Sequence, residues 1–190
     1  ETPSGAAGYE IVQRGAYLQK GFELSKIDFR FPHLQTTLIR GNQVTIAYQD
    51  RPERTQETLA SAPQQYLTRS IGALLRPASL LPYLQITVTG RAGKGFLVTG
   101  TPTSLEAPFG RVQYILSAGT LVPVRRNVFN VKGRLSQVIQ YHYEKVGNIQ
   151  VPARISALYP GPGGSRIVEL HLENLQINRP IADEEFVIPY

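Results

Sequence analysis

The chain has 190 residues, no cysteine and a formal net charge of +6. That length predicts one domain, able to bury roughly 70% of its unfolded surface without disulfides. The missing thiols exclude disulfides, thiolate catalysis and cysteine-ligated metals. No apolar run approaches the ~20 residues that a membrane-spanning helix needs. The basic balance suits anionic partners. The arginines, however, are scattered, and alternation places most on solvent faces, which argues against nucleic-acid recognition.

Residues 1–21 read as a poorly defined lead-in. The opening "ETPSGAAG" is compatible with an N-terminus matured by cleavage, including one tethered through a lipidated residue absent from this chain. Tyr9 to Gly21 fits a helix or a strand. Phe22 to Phe31 carries Phe22, Leu24, Ile27, Phe29 and Phe31, and its change of parity predicts a bulge or a bend in one strand. "LQTTLIRGNQVTIAYQ" (34–49) predicts a hairpin turning at Gly41-Asn42, with Val44, Ile46 and Tyr48 on its apolar side. A further strand is expected over Arg54–Leu59.

The period then changes. "SAPQQYLTRSIGALLRP" (61–77) has Ser61 as N-cap, Gln64 at the capping-box spacing and Pro63 in the first turn. Leu67, Ile71, Leu74 and Leu75 share one helical face. "ASLLPYL" is a greasy connector that brings Leu80 and Leu81.

Strands resume with Leu84, Ile86 and Val88, turn over Gly90–Gly95, and continue through Phe96 and Val98. A loop at Pro102–Pro108 precedes a face of Val112, Tyr114 and Leu116; the chain turns at Ala118-Gly119 and returns over 121–131. Two long strands follow around Gly147-Asn148, with Ile139, Tyr141 and Tyr143 facing Ala153, Ile155, Ala157 and Tyr159. A two-residue loop there would pair Tyr141 with Arg154 and mix the faces. A three-residue loop or a bulge at 147–149 pairs Tyr141 with Ile155 and Tyr143 with Ala153, and is the expectation. "PGPGGS" turns again, and 166–178 predicts a last strand bulged near Glu173–Asn174.

These elements predict an α+β fold that is mostly antiparallel β. About ten strands would curl into a half-barrel lidded by one helix. Ile46, Tyr48, Phe96, Val98, Tyr114, Leu116, Ile139, Tyr141 and Tyr143 would line its concave side; Leu67, Ile71, Leu74, Leu80 and Leu81 would form the lid.

Site chemistry is sparse. There is no G-x-S-x-G, and only three histidines: His33, His142 and His171. "GRAGKG" (90–95) lacks phosphate-loop spacing and joins two strands. Glu169, His171 and Glu173 share a strand face as a divalent-metal set would. Arg154 opposite His171 explains that trio by cross-strand charge pairing instead. His142 and the Asp183, Glu184, Glu185 cluster read as solvated. No catalytic residue, metal or cofactor is predicted, and the chain is expected to be a non-enzyme.

The order of elements resembles the Lol-type periplasmic lipoprotein-carrier superfamily of Gram-negative bacteria over about residues 27–190. The likeness lies in "IRGNQVTIAYQ" (39–49), in "FGRVQYILSAGTLVPVRRNVFNVKGRLSQVIQYHY" (109–143), and in the ending that places Asn178, Ile181, Asp183, Phe186, Ile188 and Pro189. The basic-Pro motif that carries the family's lid-contacting arginine is only loosely matched by Arg30-Phe31-Pro32. The resemblance implies an open half-barrel whose apolar cavity holds acyl chains of a lipoprotein or lipid in a monomeric periplasmic carrier. Each buried CH₂ is worth about 0.8 kcal/mol, so a long chain can bind with few polar anchors. The alternative is a module of the same fold that recognises or senses an envelope protein and transports nothing.

Overall fold

The computed structural model describes residues 12–21, 24–31, 34–41, 43–49, 54–58 (main chain only), 74–78, 80–162 and 164–188. Chain contacts gather into two units, Glu1–Ser61 with Pro180–Tyr190, and Ala62–Arg179. Each contains one open antiparallel sheet. The mostly antiparallel β expectation therefore holds, divided between two sheets.

The first unit is a five-stranded meander: β1 (Arg14–Lys20), β2 (Leu24–Phe31), β3 (Gln35–Arg40), β4 (Gln43–Tyr48) and β5 (Arg54–Thr58). Arg14–Lys20 resolves the helix-or-strand ambiguity as a strand. β3 and β4 pair from Arg40↔Gln43 to Gln35↔Tyr48, as the Gly41 turn predicts. The β2 bulge lies at its far end, where Arg30 is extra between Gly15↔Phe29 and Arg14↔Phe31. The change of parity near Leu24 has a different origin. Ser25 and Ile27 occupy the more buried face, while Leu24 lies half-buried on the other.

The C-terminal segment returns to this sheet. Its 3₁₀ turn Asp183–Phe186 buries Phe186 completely. Lys20 Nζ donates to Asp183 Oδ1 at 2.7 Å, Lys26 Nζ to the Glu185 carbonyl at 3.2 Å, and Arg40 Nη2 to the Phe186 carbonyl at 3.4 Å. These cations come from alternate positions on one face, which is how three strands fasten one strap. The Lys20 ammonium also holds the exposed Asp183 carboxyl below its usual range, by hydrogen bond and by charge.

The second unit is a seven-stranded meander: β6 (Leu84–Ala92), β7 (Gly95–Pro102), β8 (Arg111–Ser117), β9 (Pro123–Phe129), β10 (Leu135–Val146), β11 (Ile149–Gly161) and β12 (Gly164–His171). The order β12-β11-β10-β9-β8-β7-β6 contains no crossover. "GRAGKG" is a hairpin closed by Ala92↔Gly95, not a phosphate loop.

The β10–β11 hairpin keeps the expected Tyr141↔Ile155 pair but reaches it differently, and the bulge sets Tyr143 against Pro152 rather than the expected Ala153. The turn has two residues, with Val146↔Ile149 closing it. Gly147 has φ 60, the left-handed value that such tight turns demand and that glycine supplies at least cost. The extra residue is Ala153, between His142↔Arg154 and Tyr143↔Pro152. Pro152 has no N–H for the ladder, so a bulge beside it costs little. The carbonyl of Ala153 then accepts from Leu172 N at 2.8 Å.

The expected continuation to residue 178 does not form. β12 ends at His171, and Asn174 and Asn178 both take left-handed backbone with φ 55 and φ 58. Asparagine tolerates that region, so these residues end the strand rather than bulge it.

Of the expected lid helix over 61–77, residues 61–73 lie outside the described residues, and with them Leu67 and Ile71. Leu74 is helical and buried. The connector forms a 3₁₀ turn at Leu81–Tyr83.

Candidate functional site

The second sheet has one apolar face, built by alternation across neighbouring strands. Val98 pairs with Tyr114, Val112 with Val128, Ile139 with Ala157 and Tyr141 with Ile155. Leu80, Leu84, Val98, Ala107, Phe109, Val112, Tyr114 and Val128 form a packed cluster, with Leu116 against it. Ile139, Ile155 and Ala157 are completely buried beside them.

Close strand approach helps to build this face. A Cβ on Gly95 would lie 2.2 Å from the Leu116 carbonyl oxygen, so only glycine fits there. At Gly100 the missing side chain leaves room for Leu84 and Ile86 to lie across the strand. Ile86 and Val88 continue the face to the β6 edge, where they are exposed.

A polar group interrupts the grease. Arg126 follows the parity of Val124 and Val128 and is fully buried. It pairs with Tyr114 on one side and Ile139 on the other. Burying a guanidinium among apolar side chains costs several kcal/mol before compensation. The hydroxyls of Tyr114 and Tyr141 are also closed to water, and the Arg126 guanidinium lies within hydrogen-bonding reach of the Tyr114 phenol. Burial pushes the Tyr114 phenol up to about 12, and the nearby Arg126 guanidinium offsets part of that rise. Burial raises Tyr141 too, again against the pull of Arg126. Tyr143 lies 6.3 Å from Tyr141 between ring centres and donates to the Pro123 carbonyl at 2.8 Å. Its phenol is raised by burial and by Tyr141.

The expected ligand-contacting residues fall into groups. Val98, Tyr114, Leu116, Ile139, Tyr141 and Tyr143 share the apolar face, with Leu80 packed on it. Phe96 pairs with Leu116 and lines a cleft of about 310 Å³ at the strand ends, with Arg91, Gly93, Lys94, Gly95 and Ala118. Leu81 is exposed. Ile46 and Tyr48 belong to the first sheet, where both are half-buried.

Arg126 was missed by sequence reasoning, which placed most arginines on solvent faces and singled out none as buried. Its signal was nevertheless present: a cation in phase with Val124 and Val128 rather than with Arg125 and Asn127. Phe109 was missed as well. It sits beyond a polar loop, outside any strand alternation, yet is 1% exposed.

On the opposite face, Arg154 lies across from His171, as expected. Glu169 is 3.7 Å from the Arg154 guanidinium and 3.8 Å from His171 Nε2. Glu173 lies past the end of β12, off that strand face. Among the described residues no group of three His, Asp or Glu side chains could hold a metal ion. No described helix is long and apolar enough to cross a membrane.

Known structures share this fold. A domain assigned to outer membrane lipoprotein sorting, from Vibrio parahaemolyticus, superposes with a TM-score of 0.70 at 12% identity, covering 92% of this chain and 80% of its own. A LolA superfamily protein from Nitrosomonas europaea gives 0.67 at 14% identity, covering 97% and 86%. A DUF1329 family protein from Desulfovibrio piger gives 0.58 at 12%, covering 86% and 81%. No family model matches the chain, and no curated protein matches it. At these identities the likeness establishes the fold. The resemblance read from the order of elements therefore holds at that level.

Proposed function

We propose that the protein is a non-enzymatic periplasmic carrier that binds acyl chains of lipoproteins or lipids on the apolar face of its second sheet. The observation that carries this reading is that face itself, in a fold shared with a lipoprotein-sorting domain. It spans β6 to β11, and Ile86 and Val88 reach solvent at its edge. An acyl chain laid along it would gain about 0.8 kcal/mol per CH₂ removed from water. Val98, Tyr114, Leu116, Ile139, Tyr141 and Tyr143 are the contacts proposed there. Leu67, Ile71, Leu74, Leu80 and Leu81 are proposed as its cover, and Ile46 and Tyr48 as further contacts.

The two units are proposed to act as one monomeric domain. The first is assembled from both ends of the sequence, so neither divides off as a simple fragment.

The test is organic extraction of the purified protein followed by mass spectrometry. A carrier yields co-purifying lipid or acylated peptide, and the delipidated protein takes up a neutral hydrophobic fluorophore. A protein that yields no lipid and brightens no fluorophore is not a carrier; the envelope-protein recognition module then becomes the better reading.

A further inference from the structure

We propose that the cleft at the β6–β7 turn binds the phosphate of an amphiphile whose acyl chain lies on the apolar face. The inference rests on the carrier reading above and names the head group of its ligand. The cleft, of about 310 Å³, is lined by Arg91, Lys94, Phe96 and Ala118, with Gly93 and Gly95. Arg91 stands directly opposite Phe96, Phe96 opposite Leu116, and the next pair along the face is Val98 with Tyr114. Directly opposed residues share a face of the sheet. The Arg91 side chain therefore leaves from the apolar side, at the end where that side reaches solvent. Space is open there: a Cβ on Gly93 would meet nothing within 4 Å.

The charge at this place is one-sided. Arg91 and Lys94 are exposed. Among the described residues, neither has an ion pair or a side-chain hydrogen bond. Glu106 is the one acid on β6, β7, β8 and their connections, and its loop lies at the other end of β7. The whole unit Ala62–Arg179 holds thirteen Lys or Arg against four Asp or Glu, a net +9 within a chain of +6. Two cations sharing a cleft without an acid repel one another until an anion joins them. A phosphate monoester carries roughly two negative charges at neutral pH on strong acceptor oxygens, so it matches both. The guanidinium fork fits phosphate oxygens two at a time. The acyl chain then leaves over Phe96 and Leu116 toward Val98, and each CH₂ removed from water adds affinity. A neutral lipid gains the burial of its chain alone. A bare phosphate gains only exposed ion pairs, which water and salt weaken.

The test uses the full chain after delipidation, loaded with a neutral naphthylamine probe. Palmitoyl lysophosphatidate and monopalmitoylglycerol, which differ only in the phosphate, are compared as displacers. The phosphate form should displace the probe at concentrations about fivefold to tenfold lower in dilute buffer, and the gap should close at about 0.5 M salt. The double variant Arg91→Gln, Lys94→Gln changes two exposed positions. It should abolish the gap while leaving displacement by monopalmitoylglycerol unchanged. Lys132→Gln with Arg134→Gln removes the same charge from the β9–β10 turn, at the other end of the sheet, and should leave the gap as it is. Inorganic phosphate at roughly millimolar concentration should not close the gap. If it does, the cleft serves free phosphate and the lipid head group is overturned. Equal displacement by the two lipids overturns the phosphate site and leaves the carrier reading in place. So does a gap that ignores salt, one that survives in the first variant, or one that the second variant abolishes as well. Failure of both lipids to displace the probe, or of the probe to bind, overturns both readings.

Discussion

Arg126 and Tyr114 lie opposite one another across the β8–β9 ladder, and neither is more than 1% exposed. An ionisable pair in the middle of a greasy face sets how the protein responds to alkali. Tyr114, Tyr141 and Tyr143 all have phenols raised by burial. A raised phenol favours its neutral form in the folded chain. The unfolded chain therefore ionises first, near pH 10, and from there stability falls until the folded group ionises as well. For Tyr114 that window runs from about 10 to about 12. Across it, stability falls by about 1.4 kcal/mol for every step of one in pH. Tyrosinate absorbance should show Tyr114, Tyr141 and Tyr143 titrating late, with unfolding beginning above pH 10. All phenols titrating together in a folded protein would contradict this.

Two glycines should behave differently. A Cβ at Gly95 would press on main chain, the carbonyl of Leu116, which cannot yield without breaking the β7–β8 ladder. Gly95→Ala should cost about 2–3 kcal/mol in urea unfolding. At Gly100 the nearest atoms, at 2.7 Å and beyond, are side-chain carbons of Leu84 and Ile86. These can rotate, so Gly100→Ala should cost about 1 kcal/mol or less. Equal costs would mean that strand spacing is not what fixes Gly95.

Phe186 should matter more than its place in a terminal turn suggests. It is completely buried against the first sheet, under a strap held by Lys20, Lys26 and Arg40. Phe186→Ala should destabilise by about 3–5 kcal/mol. The loss should appear first as faster amide exchange in β2 and β3. Uniform exchange changes across both units would argue against a local role.

Glu169 supplies the opposite expectation. Its contacts with Arg154 and His171 are long and exposed. Glu169→Gln should change stability by no more than about 0.5 kcal/mol and should leave lipid binding unchanged. A large loss of binding would point to chemistry on this outer face.

Much of the second sheet was legible because its strands alternate cleanly. Val112, Tyr114 and Leu116, or Ile139 and Tyr141, announce both strand and face. The pairing of Tyr141 with Ile155 followed from keeping like residues together. The device that achieves it did not. A turn of two residues and a bulge at Ala153 satisfy the same constraint as a longer loop, and the deciding feature is the missing N–H of Pro152 rather than hydrophobicity. Phe22 to Phe31 misled for a related reason, since Leu24 is apolar yet belongs to the face that carries Lys26. The last strand was overestimated because Leu175 and Ile177 look like core, while the left-handed Asn174 had already turned the chain. Arg126 was hidden by a general rule about where cations go; only its phase within β9 gave it away.

The strap across the first sheet also dictates an order of events during synthesis. β1 to β5 are made early, but Phe186 and the carbonyls that receive Lys26 and Arg40 emerge from the ribosome long afterwards. Until then that sheet face stays wet and its cations lack those acceptors. The nascent N-terminal sheet should therefore remain loose while the later meander, whose neighbours all follow one another in the chain, can already close.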